Sequence, residues 1–350
     1  MASLFSQGKH IFMTGNKADA IGGIGFDRLM VALGCWFIGG LYIDGWAHGH
    51  GFVDNTFFTP WHAILYSGYF ANAAALIATT FINHRRGAGW LQAIPNGYEL
   101  ALFGAPLFTV AGVGDLIWHT LFGFEVGIAP LLSPPHLILA FSGLLMISGP
   151  FQAVWRRADR RTTQSWSTLL PGLISLFLIL SILSFFTEFA QPFSLRYLAI
   201  KNYTNQNGSL GAAGIIIQAG LLMGTILLAA RRWRLPGGTI TLILGVNALL
   251  MAVLDDGYML VPAAVVVGVV ADLLYWKWQP SIRRLEAWRA FAFLVPLIYY
   301  LGYFLSLLLY YQSITWTLHL WLGSTIVASV AGLLLSYLLV PPQFPTEAEE

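Results

Sequence analysis

Ten stretches of this sequence are apolar for roughly the length a helix needs to cross a bilayer, about 20 residues. They lie near 26–49, 59–83, 97–121, 133–155, 167–189, 209–231, 237–255, 257–277, 287–311 and 316–340. Backbone in hydrocarbon must satisfy its own N–H and C=O groups. The succession therefore predicts an all-α fold, a polytopic membrane helix bundle of about ten transmembrane helices. Composition agrees: 57% of the 350 residues are hydrophobic and 10% are charged, against about 25% charged in a soluble domain. A soluble enzyme, a nucleic-acid binder and a disordered chain are excluded together. The first apolar run leads into a polar loop rather than a small-residue cleavage site, so it reads as a helix that stays. The seventh and eighth runs are divided only by Asp255-Asp256-Gly257. The single cysteine, Cys35, excludes an internal disulfide and a multi-cysteine metal cluster.

The charges orient this map. With the N-terminus taken as cytoplasmic, the inner segments hold Lys9, Lys17, Arg28, Arg85, Arg86, Arg156, Arg157, Arg160, Arg161, Arg231, Arg232, Arg234, Lys277, Arg283, Arg284 and Arg289. The outer segments hold only Arg196 and Lys201. This is the asymmetry of the positive-inside rule. It predicts cytoplasmic termini at both ends, in the cytoplasmic (inner) membrane. On that basis the chain divides into a cytoplasmic lead-in (1–25), two helical hairpins (26–155), further transmembrane helices acting as scaffold (156–340) and an acidic cytoplasmic tail (341–350).

The remaining polar residues gather on the outer side. Asp44, His48, His50, Asp54, His62, Asp115, His119, Glu125, His136, Glu188, Asp255, Asp256 and His319 all fall at or near outer helix ends. Ionisable residues in membrane spans are costly, and function is the default expectation for them. Six belong to an internal repeat. Asp44-Gly-Trp-Ala-His48 leads by a loop to Thr59-Pro60-Trp61-His62 and then Tyr66-Ser67-Gly68. Asp115-Leu-Ile-Trp-His119 leads by a loop to Ser133-Pro134-Pro135-His136 and then Phe141-Ser142-Gly143. Both read D-x3-H, [ST]-P-x-H, aromatic-S-G.

Asp and His four apart share one helix face. Thr59 or Ser133 suits an N-cap, and the next proline suits the first helical position. Each hairpin thus offers one carboxylate and two imidazoles, a donor set for copper, zinc or iron. The expected ligands are Asp44, His48 and His62, and Asp115, His119 and His136. His50, Glu125, Trp46 and Trp118 are expected beside them in supporting positions. Chain order leaves open whether the hairpins make two sites or one. It also leaves open a buried Asp–His network that only ties helices together.

The D-x3-H and [ST]-P-x-H hairpin, with Trp118 just before His119, resembles the membrane copper site in the C subunit of the particulate methane and ammonia monooxygenases. The likeness covers two stretches of about 25 residues, the span of one helical hairpin each. It implies copper at Asp115, His119 and His136 and, in the second copy, at Asp44, His48 and His62. It further implies O2-dependent oxidation of a small apolar substrate, and companion subunits, one of them supplying a soluble cupredoxin-like domain.

The leading expectation is therefore a metal-binding oxidoreductase, a monooxygenase-like membrane enzyme with copper near the outer face and the lipid bilayer around it. The alternatives are a metal or proton transporter, a haem protein with His axial ligands, a zinc-dependent hydrolase and a structural subunit of a membrane complex. A transporter predicts polar residues continuing across the bilayer, for which Asp272 and Glu99 are the inner-half candidates. No P-loop or dinucleotide fingerprint is present, and no span has an interior lysine for retinal.

Overall fold

The computed structural model describes residues 21–52, 57–123, 128–157, 165–195, 197–200 and 204–342. Ten long helices account for most of them. They are α1 (Gly23–Gly49), α2 (Pro60–Arg85), α3 (Glu99–Phe122), α4 (Pro134–Arg156), α5 (Trp166–Phe186), α6 (Asn205–Arg232), α7 (Thr239–Leu254), α8 (Val261–Trp278), α9 (Leu285–Ser306) and α10 (Leu318–Leu339). All but α7 are long and apolar enough to cross a membrane, α8 and α9 together with the short turns continuous with them. The helix α7 is apolar but has only 16 residues, about 24 Å of rise. The described residues contain no strand beyond one isolated bridge between Ser281 and Arg284. The chain is a multi-pass helical membrane protein, and each helix lies within a few residues of its expected stretch.

Contacts between helix ends show how the bundle is laid out. At one end, Arg28 of α1 donates to the Ser167 carbonyl of α5 at 2.9 Å, and Arg157 after α4 pairs with Asp27 of α1. Arg156 of α4 binds both carboxylate oxygens of Glu99 on α3 at 2.8 Å. Arg232 of α6 donates to the Trp155 carbonyl of α4, and Arg289 of α9 to the Ser336 carbonyl of α10. Arg28, Arg156, Arg157 and Arg232 thus meet at one end of the bundle and tie neighbouring helices there, and Arg289 ties α9 to α10. Asp27 is 1% exposed and also accepts from the Tyr98 hydroxyl at 2.8 Å. Lys9, Lys17, Arg160, Arg161, Arg196, Lys201, Asp54, Glu125 and most of the acidic tail lie outside the described residues.

The strongest pairings are α1 with α2, α3 with α4, α4 with α5, α7 with α8, α9 with α10 and α6 with α10. Within the first hairpin the approach is close. A Cβ on Gly40 would fall 2.6 Å from the Leu65 Cα, and one on Gly68 would fall 2.6 Å from the Phe37 Cα. Small residues let membrane helices meet backbone to backbone. The α4–α5 contact is polar at one point. Pro150 interrupts the α4 ladder, and the Ser175 hydroxyl of α5 inserts there. It accepts from the Phe151 N–H at 3.1 Å and donates to the Ile147 carbonyl at 2.5 Å, so a neighbouring helix satisfies freed backbone groups.

The later helices are more than apolar scaffold. Gln218 of α6 donates to the Thr187 hydroxyl at 2.8 Å, and Asn247 of α7 to the Ser184 hydroxyl at 2.9 Å. Both amides are essentially buried. They place a polar seam on the end of α5, hidden among the long apolar runs in the sequence.

The two inner-half candidates for a polar path have structural partners. Glu99 holds Arg156, as above. Asp272 of α8 caps α7: its carboxylate accepts from the Ile240 N–H (3.2 Å), the Thr241 N–H (2.8 Å) and the Thr241 hydroxyl (2.6 Å). Asp272→Ala is predicted to cost about 1–3 kcal/mol, the worth of charged hydrogen bonds at a helix start. It should lower the melting temperature in detergent. An unchanged melting temperature would contradict this assignment.

Candidate metal centre

At the end of the bundle away from the arginines, the two repeated hairpins bring their polar residues together. In the first, Thr59 caps α2 by accepting from the His62 N–H at 3.1 Å, with Pro60 in the first helical position. This sets His62 in the opening turn, facing the last turns of α1. Asp44 Oδ2 lies 3.4 Å from His62 Nε2 and 3.8 Å from His48 Nε2. In the second, Ser133 holds the N-cap position and Pro134 follows, but the hydroxyl turns to the His136 ring, 2.7 Å from Nδ1. Asp115 Oδ1 lies 3.4 Å from His119 Nε2 and 3.5 Å from His136 Nδ1. The paired imidazole centroids are 5.7 Å apart in the first hairpin and 5.6 Å in the second. In each triad one donor atom per residue falls within 4.8 Å of the others.

Three of the four Asp–His separations, 3.4–3.5 Å, are longer than a good hydrogen bond and compatible with two ligands of one ion, while the Asp44–His48 separation of 3.8 Å is longer than both. Good N–H···O bonds are about 2.7–3.2 Å long. Two donors each about 2.0–2.2 Å from one ion, at tetrahedral to trigonal angles, stand roughly 3.3–3.7 Å apart. The ring orientations agree. His62 Nδ1–H donates to the Phe57 carbonyl at 2.6 Å, and His119 Nδ1–H donates to the Gly123 carbonyl at 3.2 Å. A carbonyl only accepts, so these nitrogens carry protons and Nε2 is the atom each ring turns towards its carboxylate. Backbone carbonyls holding the far nitrogen are also how metal-binding histidines are commonly fixed. Asp44 is 8% exposed, and its Oδ1 is buried without a hydrogen-bond partner among the described residues.

Both triads face one cavity of about 570 Å³. Its walls are largely apolar, including Phe37, Phe108, Leu131, Ile182 and Phe185, with Asp44, His48, His62, Asp115, His119 and His136 among them. The question left open by chain order is thus settled for the space: the hairpins share it. Gly45, between Asp44 and His48, admits the Phe185 ring of α5, which a Cβ there would meet at 2.5 Å.

The other expected residues fall as follows. His50 binds Asp256 at 3.1 Å and the Trp46 carbonyl at 2.8 Å. Asp256 holds this ring's proton and keeps the His50 pKa above its ordinary value. Trp46 stacks on His50 and Phe52, and Trp118 lies against Phe122. Glu125 lies outside the described residues. His319 is exposed at the start of α10. The aromatic-S-G part of the repeat is not equivalent in space. Tyr66 is four residues after His62, whereas Phe141 is five after His136. One extra residue turns a helix by about 100°, so Tyr66 lines the cavity while Phe141 is 54% exposed.

Glu188 is the cavity residue that the repeat did not reveal. It sits in the turn after α5 and lines the same space. Burial pushes its carboxyl from 4.5 up to about 7. Comparison with protein-family models, curated proteins and solved structures finds no match.

The Glu188 shift gives a signed pH dependence. The folded chain holds this proton more tightly than the unfolded chain. Stability from this group is therefore greatest below about pH 4.5 and declines as pH rises to about 7. The full decline is about 3 kcal/mol. Glu188→Gln should remove that slope in unfolding measurements between pH 4.5 and 7.5. An unchanged slope would contradict the burial of this carboxyl.

Proposed function

We propose that this chain is a membrane metalloprotein in which each Asp–His–His triad holds one ion, and that it works as a copper-dependent oxidase or monooxygenase-like enzyme on a small apolar substrate. The observation that carries the reading is the pair of triads with metal-like donor spacing, opening onto one largely apolar cavity. Copper, when bound, supplies one-electron chemistry towards O2. Copper rather than zinc or iron follows from the resemblance to the monooxygenase C subunit, which also brings companion subunits to deliver electrons.

The chain's own residues do the rest. Asp44 and Asp115 supply the negative charge that retains a cation in an apolar setting. Phe57 and Gly123 carbonyls fix His62 and His119. Phe37, Phe108, Leu131 and Phe185 give the cavity apolar walls that suit an apolar guest. Glu188 holds a proton at the cavity wall, available to a reaction that consumes protons. Transport is the weaker reading, because Glu99 and Asp272 are engaged in an ion pair and a helix cap. The distribution of basic residues orients the triads towards the outer face of the cytoplasmic membrane, with both termini inside.

Metal analysis of the purified protein tests this. The expected content is two ions per chain, falling to about one in Asp115→Ala and in His119→Ala. Unchanged metal in both variants defeats the assignment. Tightly bound zinc with no copper would replace oxidation by hydrolysis, with zinc lowering the pKa of a bound water. A haem absorption band would replace the triads by axial histidines.

A further inference from the structure

Tyr66 stands where the two hairpins meet. It follows His62 by one turn of α2, with ring centroids 6.3 Å apart. Its hydroxyl lies against α3 at Gly112, where a Cβ would fall 3.0 Å from the phenol oxygen. Gly112 precedes Asp115 by three residues, so the two share a helix face. The phenol therefore reaches from the histidine side of the first triad to the carboxylate side of the second. Asp44 and Asp115 line the same cavity as Tyr66. Phe57 and Phe108 hold the ring, each with its centroid 6.1 Å away. In the second hairpin the position four residues after the histidine is Ala140, so the repeat supplies this hydroxyl from one side only.

A phenol adds a neutral donor beside the triads' carboxylates: a carboxylate accepts hydrogen bonds, and a tyrosine hydroxyl donates. A small ligand with an oxygen or nitrogen lone pair, held between the triads, meets a neutral donor at Tyr66 and apolar walls elsewhere.

We propose that Tyr66 is the positioning residue of this cavity, donating a hydrogen bond to a small lone-pair ligand held between the two triads, with Gly112 left without a side chain so that the phenol can reach. The proposal rests on the metal reading above and adds a residue and a ligand class to it.

The test uses the full chain in detergent, loaded with Cu(II) and titrated with azide, followed through the azide-to-copper charge-transfer band. Tyr66→Phe is expected to keep the wild-type copper content and bind azide roughly tenfold more weakly, the loss of one hydrogen bond. Gly112→Ala alters no proposed ligand and should weaken azide in the same way by displacing the hydroxyl. Unchanged azide affinity in Tyr66→Phe overturns the proposal. Loss of copper in Tyr66→Phe also overturns it, because the phenol would then serve the triads rather than their guest. Wild-type protein that takes up no copper overturns the copper reading on which this rests, together with the role of Tyr66 in it.

Discussion

The constraint on which the structure turns is the cost of placing carboxylates inside a membrane bundle. Asp44 and Asp115 are 8% and 2% exposed, and an ionised carboxylate without a partner in an apolar interior costs several kcal/mol. Each therefore needs compensation at close range. The nearest groups are imidazoles whose far nitrogens, in His62 and His119, are already committed to backbone carbonyls. On the metal reading, a cation held between ring and carboxylate satisfies both partners at once. At the other end of the bundle the same problem has a different answer: buried Asp27 is met by Arg157 and the Tyr98 hydroxyl. One end meets its buried carboxylate with arginine, and the other faces its two carboxylates with imidazoles.

The scaffold is shaped to hold that arrangement. Gly40 and Gly68 draw α1 and α2 together, so that Asp44 and His62 face each other across the hairpin. Gly45 lets Phe185 of α5 close the wall beside the first triad, and Gly112 lets Tyr66 reach α3. Beneath Glu188, the seam of Ser184, Thr187, Gln218 and Asn247 joins α5 to α6 and α7 through side-chain hydrogen bonds. These bonds add directional contacts where apolar packing alone would let helices slide.

Much of this was legible in the sequence, for physical reasons. A spanning helix needs a run of fixed length, so the ten helices could be placed to within a few residues. Asp and His at a spacing of four, followed by an N-cap and proline, constrain the side chains so closely that both triads could be named. What escaped depends on helix rotation and on long-range packing. The shared cavity arises from the docking of α1–α2 against α3–α4, which local spacing does not encode. Tyr66 and Phe141 looked alike until the single-residue offset was expressed as rotation. Glu188 belongs to a different element from the triads, and Gln218 and Asn247 are single amides in apolar helices; only the fold makes them neighbours.

The central claim is that the two triads are the places where ions reside. Anomalous diffraction from crystals of the protein, with data on both sides of the copper and zinc absorption edges, measures this directly. The account predicts two anomalous peaks, one bounded by Asp44, His48 and His62 and the other by Asp115, His119 and His136. Metal-loaded crystals with no peak at either triad would contradict it.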